Sequence, residues 1–445
     1  MICYCLTLSF FLNFNTIFKM EAGFMLLQFN FENYGPFKEE ASLNLEAAPY
    51  AEFKEQIRTI GNKKILPLAA IYGANASGKS FTYNAFNYRK FRVLFSRSLD
   101  LEKSKTTLNP FPEAVPFRLD KESENSPSSF EVILTSEIDG KEITLQYGFS
   151  VFQRQIVKEW LYQLPQRSTS AVKEYLLRDR ETISIKIPEL DDSIKTTLEK
   201  STPSSALVLS FGSRLNVEPF KTIFNFFNIS LVTDFGNLSE MFFREHLLPI
   251  GIAENKESLS DCVSFLQSFE PSIKNIRLEE IKQDNNQKQY FIKTIHRTIN
   301  GEEVEFRREN ESSGTKKRFQ FYSFLRQAIS TGSVLFVDEL NSRLHPLLLR
   351  NILLLFLSQE KNPNHSQLIF TCHEPWLLSA KILRRDEIYF TNKNLKTQAS
   401  ELYSLAEFKD EKGMKIRSDE DFEKNYLLGK YDGIPVLSNM GIKGE

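Results

Sequence analysis

The sequence predicts an α/β protein built around a mainly parallel sheet, and three observations support this fold class. An apolar run (residues 66–71) leads into the stretch G-A-N-A-S-G-K-S (residues 73–80), and a helical pattern without glycine or proline follows (residues 81–94). A second apolar run ends in two carboxylates (residues 334–339). Helical and strand patterns alternate over residues 316–390, which is typical of parallel sheets that bind ligands at the carboxyl ends of their strands.

The stretch at residues 73–80 fits G-x-x-x-x-G-K-[ST], the pattern of a phosphate-binding loop. In such loops the backbone N–H groups curl around a phosphate, and the helix N-terminus adds its positive dipole end. Gly73 and Gly78 permit the backbone angles of that curl. Lys79 is predicted to reach the β- and γ-phosphates, and the Ser80 hydroxyl to ligate Mg²⁺. The alternative is a glycine–serine turn beside a surface lysine, which does not need the flanking strand and helix.

Length, composition and charge restrict the possible architecture and function further. The chain has 445 residues, of which 41% are hydrophobic, and this predicts two or three lobes. The net charge of −1 gives no global support for nucleic-acid binding, which would need a local basic patch. The cysteines, at positions 3, 5, 262 and 372, show neither zinc-site spacing nor disulfide density. We therefore expect a cytoplasmic protein in a reducing compartment.

The first 24 residues differ from the rest of the chain, because residues 1–18 are largely apolar and uncharged. They lack the basic n-region and the small-residue cleavage site of a signal peptide. They are also too short and too polar for a membrane span, so no stable membrane insertion is expected. We interpret residues 1–24 as a leader upstream of a true start at Met20 or Met25. The alternative is a short leader that touches a membrane.

Residues 25–105 are predicted to form the first half of the α/β core. Alternating apolar residues over 27–31 and 41–45 predict a hairpin, which we expect to feed the sheet that carries the phosphate loop. Residues 106–190 predict an antiparallel β arm, because apolar residues alternate on both sides of the Asp-Gly turn at 139–140.

Residues 191–272 are predicted to be a helical insertion with a break at 201–205, and residues 273–445 to complete the core. In this last part the patterns predict strands over 273–281, 289–295, 333–338, 368–371 and 388–390, and helices over 316–329 and 347–357. The apolar residues show no sustained heptads, so no long coiled coil is expected.

The strand predicted over residues 333–338 ends in Asp338, and Glu339 follows it. An Asp at this position beside a phosphate loop typically holds the magnesium shell, and a following Glu can orient or deprotonate an attacking water. His373 follows the next predicted strand and should face the same crevice, where it could hydrogen-bond a terminal phosphate. The alternatives are a buried strand with a solvated acidic end and an ordinary loop histidine.

The stretch E-S-S-G-T at residues 311–315 precedes a predicted helix. Ser312 and Gly314 offer a serine N-cap and an open helix N-terminus, and this combination can bind an anion. A plain helix cap is the commoner meaning of such residues. The order of the motifs along the chain therefore decides between the two interpretations.

That order resembles the ATP-binding-cassette type of ATPase, in its chromosome-maintenance and RecF-like branch. Within the branch, most of residues 25–445 look like the bacterial AAA15 family, which is related to the OLD-type ATPases. The resemblance is carried by the phosphate loop, F-N-F-E-N-Y at 29–34, E-S-S-G-T at 311–315, D-E-L-N-S-R-L-H-P at 338–346, L-R-R-D-E-I at 383–388 and F-E-K-N-Y-L-L-G-K-Y at 422–431.

The resemblance implies an ABC-type ATPase head that takes ATP and Mg²⁺ and closes as a head-to-tail homodimer or a higher homo-oligomer. The implied nucleotide contacts are Gly73, Asn75, Gly78, Lys79, Ser80, Phe81 and Asp338, with Ser80 and Asp338 as the magnesium ligands. Ser312 and Gly314 would cap the ATP held by the other subunit. Glu339 would activate water, and His373 would be the switch residue.

Two parts of the family pattern are less certain to transfer. Residues 341–345 would form the loop that crosses to the other subunit, but His345 could equally be structural and pack beside Pro346. The glutamine that usually senses Mg²⁺ between core and arm has no clear counterpart. Gln153 and Gln155 are the candidates for the residue that would couple the arm to hydrolysis.

Three functions are compatible with these residues. The first is an ATP-hydrolysing switch, and related ATPases serve in anti-phage defence, often beside a separately encoded nuclease. We expect no nuclease on this chain, because only about fifty residues follow the last predicted strand, too few for a further domain. The second is a DNA-binding repair ATPase, and the third is an interaction scaffold that binds ATP without useful turnover.

DNA binding would rest on two basic clusters. These are Arg307, Arg308, Lys316, Lys317 and Arg318, and Arg89, Lys90, Arg92 and Arg97. The alternative for both clusters is an ordinary solvated helix surface. A salt-dependent affinity for DNA in the ATP state would favour the repair function.

Overall fold

The computed structural model describes residues 23–96, 113–138, 140–166, 170–236, 249, 251–282, 288–342, 344–379, 381–409 and 413–434. Most of the predicted leader lies outside these residues, as does Arg97 of the second basic cluster. Within the described ranges no helix is both long enough and apolar enough to cross a membrane.

The strands in the described residues are β1 (Met25–Glu32), β2 (Ala41–Asn44), β3 (Arg58–Ile60), β4 (Lys63–Ile65), β5 (Leu68–Gly73), β6 (Ser128–Ile138), β7 (Lys141–Phe152), β8 (Gln155–Leu164), β9 (Lys173–Asp179), β10 (Thr182–Ile185), β11 (Leu231–Asp234), β12 (Ile273–Lys282), β13 (Lys288–Arg297), β14 (Glu303–Arg307), β15 (Val334–Asp338), β16 (Gln367–Thr371), β17 (Ile388–Lys393) and β18 (Ser400–Ser404). The α-helices are α1 (Lys79–Phe95), α2 (Lys121–Glu124), α3 (Asp192–Ser201), α4 (Val208–Arg214), α5 (Phe220–Ile229), α6 (Lys256–Gln267), α7 (Ser313–Thr331), α8 (Pro346–Leu357), α9 (Trp376–Ser379) and α10 (Phe422–Leu427).

The core sheet has six strands in the order β11-β15-β16-β5-β17-β18. Its neighbours are parallel except for the last pair, β17 and β18. Because parallel strands share one carboxyl edge, the ends of β5, β15 and β16 meet there at Gly73, Asp338 and Thr371. The predicted α/β fold class is confirmed.

Both faces of the core sheet are buried, which explains why its strands read as continuous apolar runs. On one face Phe336 packs against α1, with ring centroids 5.6 Å from Tyr83 and 5.7 Å from Phe86. On the other face Leu335 and Val337 share a hydrophobic cluster with residues of α7, α8 and α10. The helices α1 and α7 therefore lie on opposite faces of one sheet.

A second sheet covers the outer side of α1. It has seven antiparallel strands in the order β10-β9-β8-β7-β6-β1-β2, and it includes the antiparallel strands predicted for residues 106–190. The expectation that the first hairpin feeds the sheet of the phosphate loop is wrong. The strand β1 pairs with β2 and β6, for example Phe31 with Phe130, and both edges of β5 are already occupied by β16 and β17.

The predicted helical insertion contains α3 to α6, and its first helix ends at Ser201, where the break was expected. It also contains β11, which was not predicted and which joins the core sheet beside β15. A strand of four residues between helices is too short for its periodicity to be recognised. A third sheet, β12-β13-β14, packs Ile276 and Ile292 against Phe319 near the start of α7.

Candidate functional site

The loop after β5 has the backbone that its sequence motif predicts. Gly73 has φ 153° and Gly78 has φ 119°, both in the region that favours glycine. Steric crowding also requires glycine at both positions. A Cβ at Gly73 would lie 2.3 Å from the Thr391 hydroxyl, and one at Gly78 would lie 2.8 Å from the Phe37 ring. Any larger residue at either position would push the loop away from β17 or the β1–β2 hairpin.

Lys79 is the first residue of α1 and is 95% buried, with 5% of its surface exposed. Its Nζ donates to the carbonyls of Gly73 (2.7 Å) and Ala74 (2.8 Å), so the side chain closes the loop on itself. Burial lowers the pKa of Lys79 to about 8, although the carboxylates of Asp338 and Glu339 act in the opposite direction. The ammonium thus lies within electrostatic reach of both acidic residues.

The other predicted loop contacts differ in what they can offer a phosphate. Asn75 and Ser80 are exposed, and the Ser80 hydroxyl lies in the first turn of α1. The Phe81 ring does not face the loop. It packs against Gly35 and lies 6.1 Å from the Tyr34 ring, so this residue can offer a phosphate only its backbone N–H.

Asp338 and Glu339 are joined through one side chain that the sequence analysis did not single out. The Thr371 hydroxyl donates to the Asp338 carboxylate and accepts the Glu339 backbone N–H (2.8 Å). Both Asp338 and Thr371 are buried. Since β16 lies between β15 and β5, Thr371 fixes the acidic pair at the edge where the phosphate loop begins.

The Glu339 backbone is left-handed, with φ 53°, an uncommon conformation for a residue with a side chain. This turns the carboxylate toward the end of β11. A Cβ built on Gly236 would lie 2.3 Å from a Glu339 carboxylate oxygen and 3.2 Å from an Asp234 oxygen. The end of the unpredicted strand β11 and Gly236 just after it therefore lie directly beside the Glu339 carboxylate. The signal of β11 in the sequence was L-V-T-D-F-G, an apolar run that ends in Asp as β15 does.

His373 lies just beyond the end of β16, at the same edge and open to solvent. Its backbone N–H donates to the Asn341 side chain (3.2 Å), which links it to the loop after Glu339. Partial desolvation and the nearby Lys79 ammonium lower the His373 pKa, and Asp338 opposes them. His345 is the N-cap of α8, and its Nδ1 accepts the Leu347 N–H (3.2 Å), so a structural use of this ring is evident.

Ser312 and Gly314 lie at the start of α7. Ser312 is exposed, and its hydroxyl accepts the Thr315 N–H (3.0 Å) as an N-cap. The first half of α7 lies at the carboxyl edge of the core sheet, because the Lys317 ammonium is 4.4 Å from the centroid of the Phe235 ring just after β11. The structure therefore places this helix N-terminus at the same edge as Lys79 and Asp338, but on the other face.

The two candidates for the magnesium-sensing glutamine are in the wrong place. Gln153 and Gln155 lie at the β7–β8 turn, where the Arg154 carbonyl accepts a hydrogen bond from Arg92 (3.3 Å). Arg92 belongs to the last turn of α1, about 20 Å along the helix from Lys79. Neither glutamine can reach a metal at the phosphate loop.

The basic cluster on α1 is not a surface patch. Arg89 and Arg92 are buried, and Lys90 donates to the Ser230 carbonyl. The other cluster, at residues 307–318, is also largely used within the protein. Lys317 is buried, and Arg308 and Arg318 lie over the rings of Phe319 (5.0 Å) and Phe269 (4.6 Å), respectively. The described residues of the α1 cluster therefore offer DNA little accessible charge, whereas the other cluster keeps an exposed charge at Arg307.

A comparison with protein families identifies the family of the chain. A family model described as "AAA domain, putative AbiEii toxin, Type IV TA system" matches residues 68–379, which include the phosphate loop and His373. No curated protein matches the chain.

Among solved structures, the chain is similar to the SMC head domain from Thermotoga maritima, at 14% identity and a TM-score of 0.35, over 85% of this chain and 98% of that one. It is also similar to the Smc head domain bound to the C-terminal domain of ScpA from Pyrococcus furiosus, at 11% identity and a TM-score of 0.42, over 86% of this chain and 96% of that one. Because the family model covers most of the chain, the protein belongs to the ATPase family described as "AAA domain, putative AbiEii toxin, Type IV TA system".

Proposed function

We propose that the protein is an ATP-hydrolysing switch whose two subunits close around Mg-ATP. One observation carries the proposal. The phosphate loop, the acidic pair and His373 meet at one edge of the core sheet, and an open helix N-terminus lies at the same edge on the opposite face. The first three form one half of an ATP site, and the helix N-terminus forms the complementary half for a second copy.

Phosphate binding starts from the closed loop. The Lys79 ammonium donates hydrogen bonds to the Gly73 and Ala74 carbonyls. The β- and γ-phosphates offer the ammonium stronger, charged acceptors, so Lys79 moves to them and the amides of residues 78–81 close around the β-phosphate.

The oxygen donors at this edge fit Mg²⁺, which is usually held by one or two protein oxygens together with substrate phosphates. Asp338 uses one carboxylate oxygen for Thr371, and the exposed Ser80 hydroxyl adds a second hard donor. Bound there, the ion would neutralise charge on the phosphates. Glu339 then accepts a proton from the attacking water, while His373 hydrogen-bonds the γ-phosphate.

The complementary half must come from another subunit. Three strand spacings separate β5 from β11, beside which α7 begins, and this corresponds to about 14 Å. Ser312 and Gly314 therefore cannot reach a phosphate held by Lys79 of the same chain. In a head-to-tail dimer they would meet the partner's γ-phosphate, and two identical composite sites would form.

The test is a comparison of wild type with Glu339→Gln, using Glu360→Gln at an exposed loop position as the control. We expect Glu339→Gln to lose hydrolysis by about 10³-fold, the size of a general-base effect, while it still binds ATP and accumulates as an ATP-bound dimer. If wild type turns ATP over no faster than Glu339→Gln, the protein is a nucleotide-binding scaffold and the proposed hydrolysis is wrong.

We further propose that this switch acts in anti-phage defence together with a separately encoded effector. The family description names a putative toxin of a toxin–antitoxin system, which agrees with such a role. Expressing the gene with its neighbours should reduce phage plaques, and Glu339→Gln should abolish the protection. Equal plaque counts with wild type and with an empty vector would exclude this role.

A further inference from the structure

The start of α7 is attached to the third sheet through Glu311, the residue before the Ser312 N-cap. Glu311 turns its carboxylate toward β13, and only 7% of its side chain is exposed. The Nε2 atom of His296 on β13 lies 2.6 Å from a carboxylate oxygen of Glu311. The Thr294 hydroxyl, on the same face of β13, donates to the same oxygen. Two side chains of one strand therefore bind the residue that precedes the helix.

His296 is itself held in place on two sides. Its Nδ1 atom lies 2.8 Å from the Ser272 hydroxyl, which donates to the Glu270 carboxylate (2.7 Å). The Phe306 ring of β14 packs on the imidazole, with ring centroids 4.7 Å apart. Since an ionised carboxylate can only accept hydrogen bonds, Nε2 donates to Glu311. The surrounding residues thus hold the ring in the orientation that makes this bond.

The connection from β14 to α7 is short, so the position of Glu311 determines that of the helix start. A single 3₁₀ turn, Arg308–Asn310, separates the strand from Glu311. Glu311 and Ser312 have extended backbones, with ψ 154° and 149°, and α7 begins at the next residue. Ser312 and Ser313 are exposed. The buried Glu311 carboxylate is therefore the attachment directly before a helix start that faces solvent.

We infer that His296 is a positioning residue, which holds Glu311 and thereby fixes the N-terminus of α7 in the orientation that contacts the partner's ATP. This inference rests on the proposed function. A buried carboxylate that loses its partner is costly, so without His296 the Glu311 side chain would turn to water. That movement would displace Ser312 and Gly314, and it would leave the phosphate loop of the same chain unchanged. The third sheet thus supports the half of the site that a second subunit uses.

The test compares two substitutions in the full-length chain. His296→Leu removes the donor and keeps a side chain of similar size, whereas the side-chain amide of His296→Gln can still donate. Without nucleotide, hydrogen exchange over residues 311–318 should be about tenfold faster in His296→Leu, because the bond from the Thr315 N–H to Ser312 (3.0 Å) opens more often. His296→Gln should stay within about two-fold of wild type. Residues 73–80 should exchange equally in all three proteins.

Tyr147→Phe is the matched control for the loss of a buried hydrogen bond. Tyr147 is also a buried strand residue, and its hydroxyl donates to the buried Glu159 (3.0 Å). Its substitution should leave exchange over residues 311–318 unchanged. Equal exchange over these residues in His296→Leu and wild type would overturn the inference. Faster exchange that extends equally to residues 73–80 would also overturn it, because it would indicate a general loss of stability.

Kinetics give the second readout. We expect kcat of His296→Leu to fall about tenfold while the KM for ATP stays within about two-fold, because α7 contacts the partner's ATP and not its own. The kcat of His296→Gln should stay within about three-fold of wild type. A higher KM at unchanged kcat would overturn the inference. The exchange comparison needs no ATP, so it decides the role of His296 even if wild type binds no nucleotide, an outcome that would refute the proposed function instead.

Discussion

The two long helices that begin at the carboxyl edge of the core sheet differ in how their N-termini are completed. At α1 the N-cap is Gly78, which has no side chain to cap the helix, and the buried Lys79 ammonium closes the loop. At α7 Ser312 caps the helix, and both Ser312 and Ser313 are exposed. The N-terminus of α1 is thus suited to enclose a ligand. The N-terminus of α7 is suited to contact a ligand that is held by another molecule.

In the proposed function, this difference explains why one chain would not make a complete site. Both N-termini offer backbone N–H groups and a positive dipole end, so both favour an anion. Only α1 adds a nearby carboxylate pair and a glycine-rich loop that its lysine closes, whereas Lys317 of α7 is buried over the Phe235 ring and Lys316 donates to the Glu309 carbonyl (2.7 Å). The proposed division of labour follows, in which α1 binds ATP and α7 of the other subunit senses its γ-phosphate.

The largest expected effect comes from Lys79→Met, which removes the charge from the enclosing N-terminus. We expect ATP affinity to fall about 100-fold and turnover to become undetectable, because a buried charged hydrogen-bond donor to phosphate is lost. Calorimetric titration with ATP measures this. Lys186→Met, at an exposed ion pair with Glu174, should bind as wild type does. Unchanged affinity in Lys79→Met would mean that ATP does not bind at α1.

Ser312→Arg tests the other N-terminus. We expect the variant to bind ATP within about two-fold of wild type but to hydrolyse it about 100-fold more slowly, because its α7 can no longer approach the partner's phosphate.

Mixing provides the control for that experiment. Lys79→Met keeps α7 intact and Ser312→Arg keeps α1 intact, so mixed dimers contain one complete site. An equimolar mixture should recover about a quarter of wild-type turnover, since about half of the dimers are mixed and each has one of two sites. No recovery on mixing would argue against sites shared between subunits.

Thr371→Val should have an intermediate effect on turnover, and it should act only on the half-site at the N-terminus of α1. The substitution keeps the volume and removes the hydroxyl that holds Asp338 and Glu339, so we expect kcat to fall about tenfold and the free energy of unfolding to fall by about 1–3 kcal/mol. Thr135→Val is the control, because Thr135 is also buried in a strand and donates to the Ile143 carbonyl (3.3 Å). It should lose stability without a change in kcat; equal kcat values in the two variants would remove Thr371 from the site.

An effect of similar size is a pH dependence that α1 should show and α7 should not. The Lys79 pKa is lowered to about 8, and phosphate favours its charged form, so ATP binding should take up a proton above that pH. We expect ATP affinity to weaken about tenfold between pH 7 and pH 9. Calorimetry in buffers of different ionisation enthalpy measures the proton, and a constant affinity over this range would contradict the assignment.

Much of the fold could be predicted from the sequence, and the reason is local. The strands β5, β15 and β16 are buried on both faces and therefore appear as uninterrupted apolar runs. Gly73 and Asp338 end the first two strands, and His373 follows the third. The geometry of the phosphate loop followed from its motif, because Gly73 and Gly78 occupy positions that exclude a Cβ.

The parts that could not be predicted depend on contacts between distant segments. Thr371 is an ordinary strand residue until β16 lies beside β15, and Gly433 approaches Gly73 only because the chain returns after β18. Likewise, a cluster of basic residues on α1 gave no sign that a second sheet would bury Arg89 and Arg92.

The far end of α1 has a mechanical consequence. Arg92 in its last turn donates to the Ser205 carbonyl (2.7 Å) in the insertion and to the Arg154 carbonyl (3.3 Å) at the β7–β8 turn. The helix α1 therefore connects the phosphate loop at its N-terminus with the insertion and the β7–β8 turn at its C-terminal end. Any tilt of the helix that ATP causes would be passed to both segments, although neither Gln153 nor Gln155 reaches the phosphate loop.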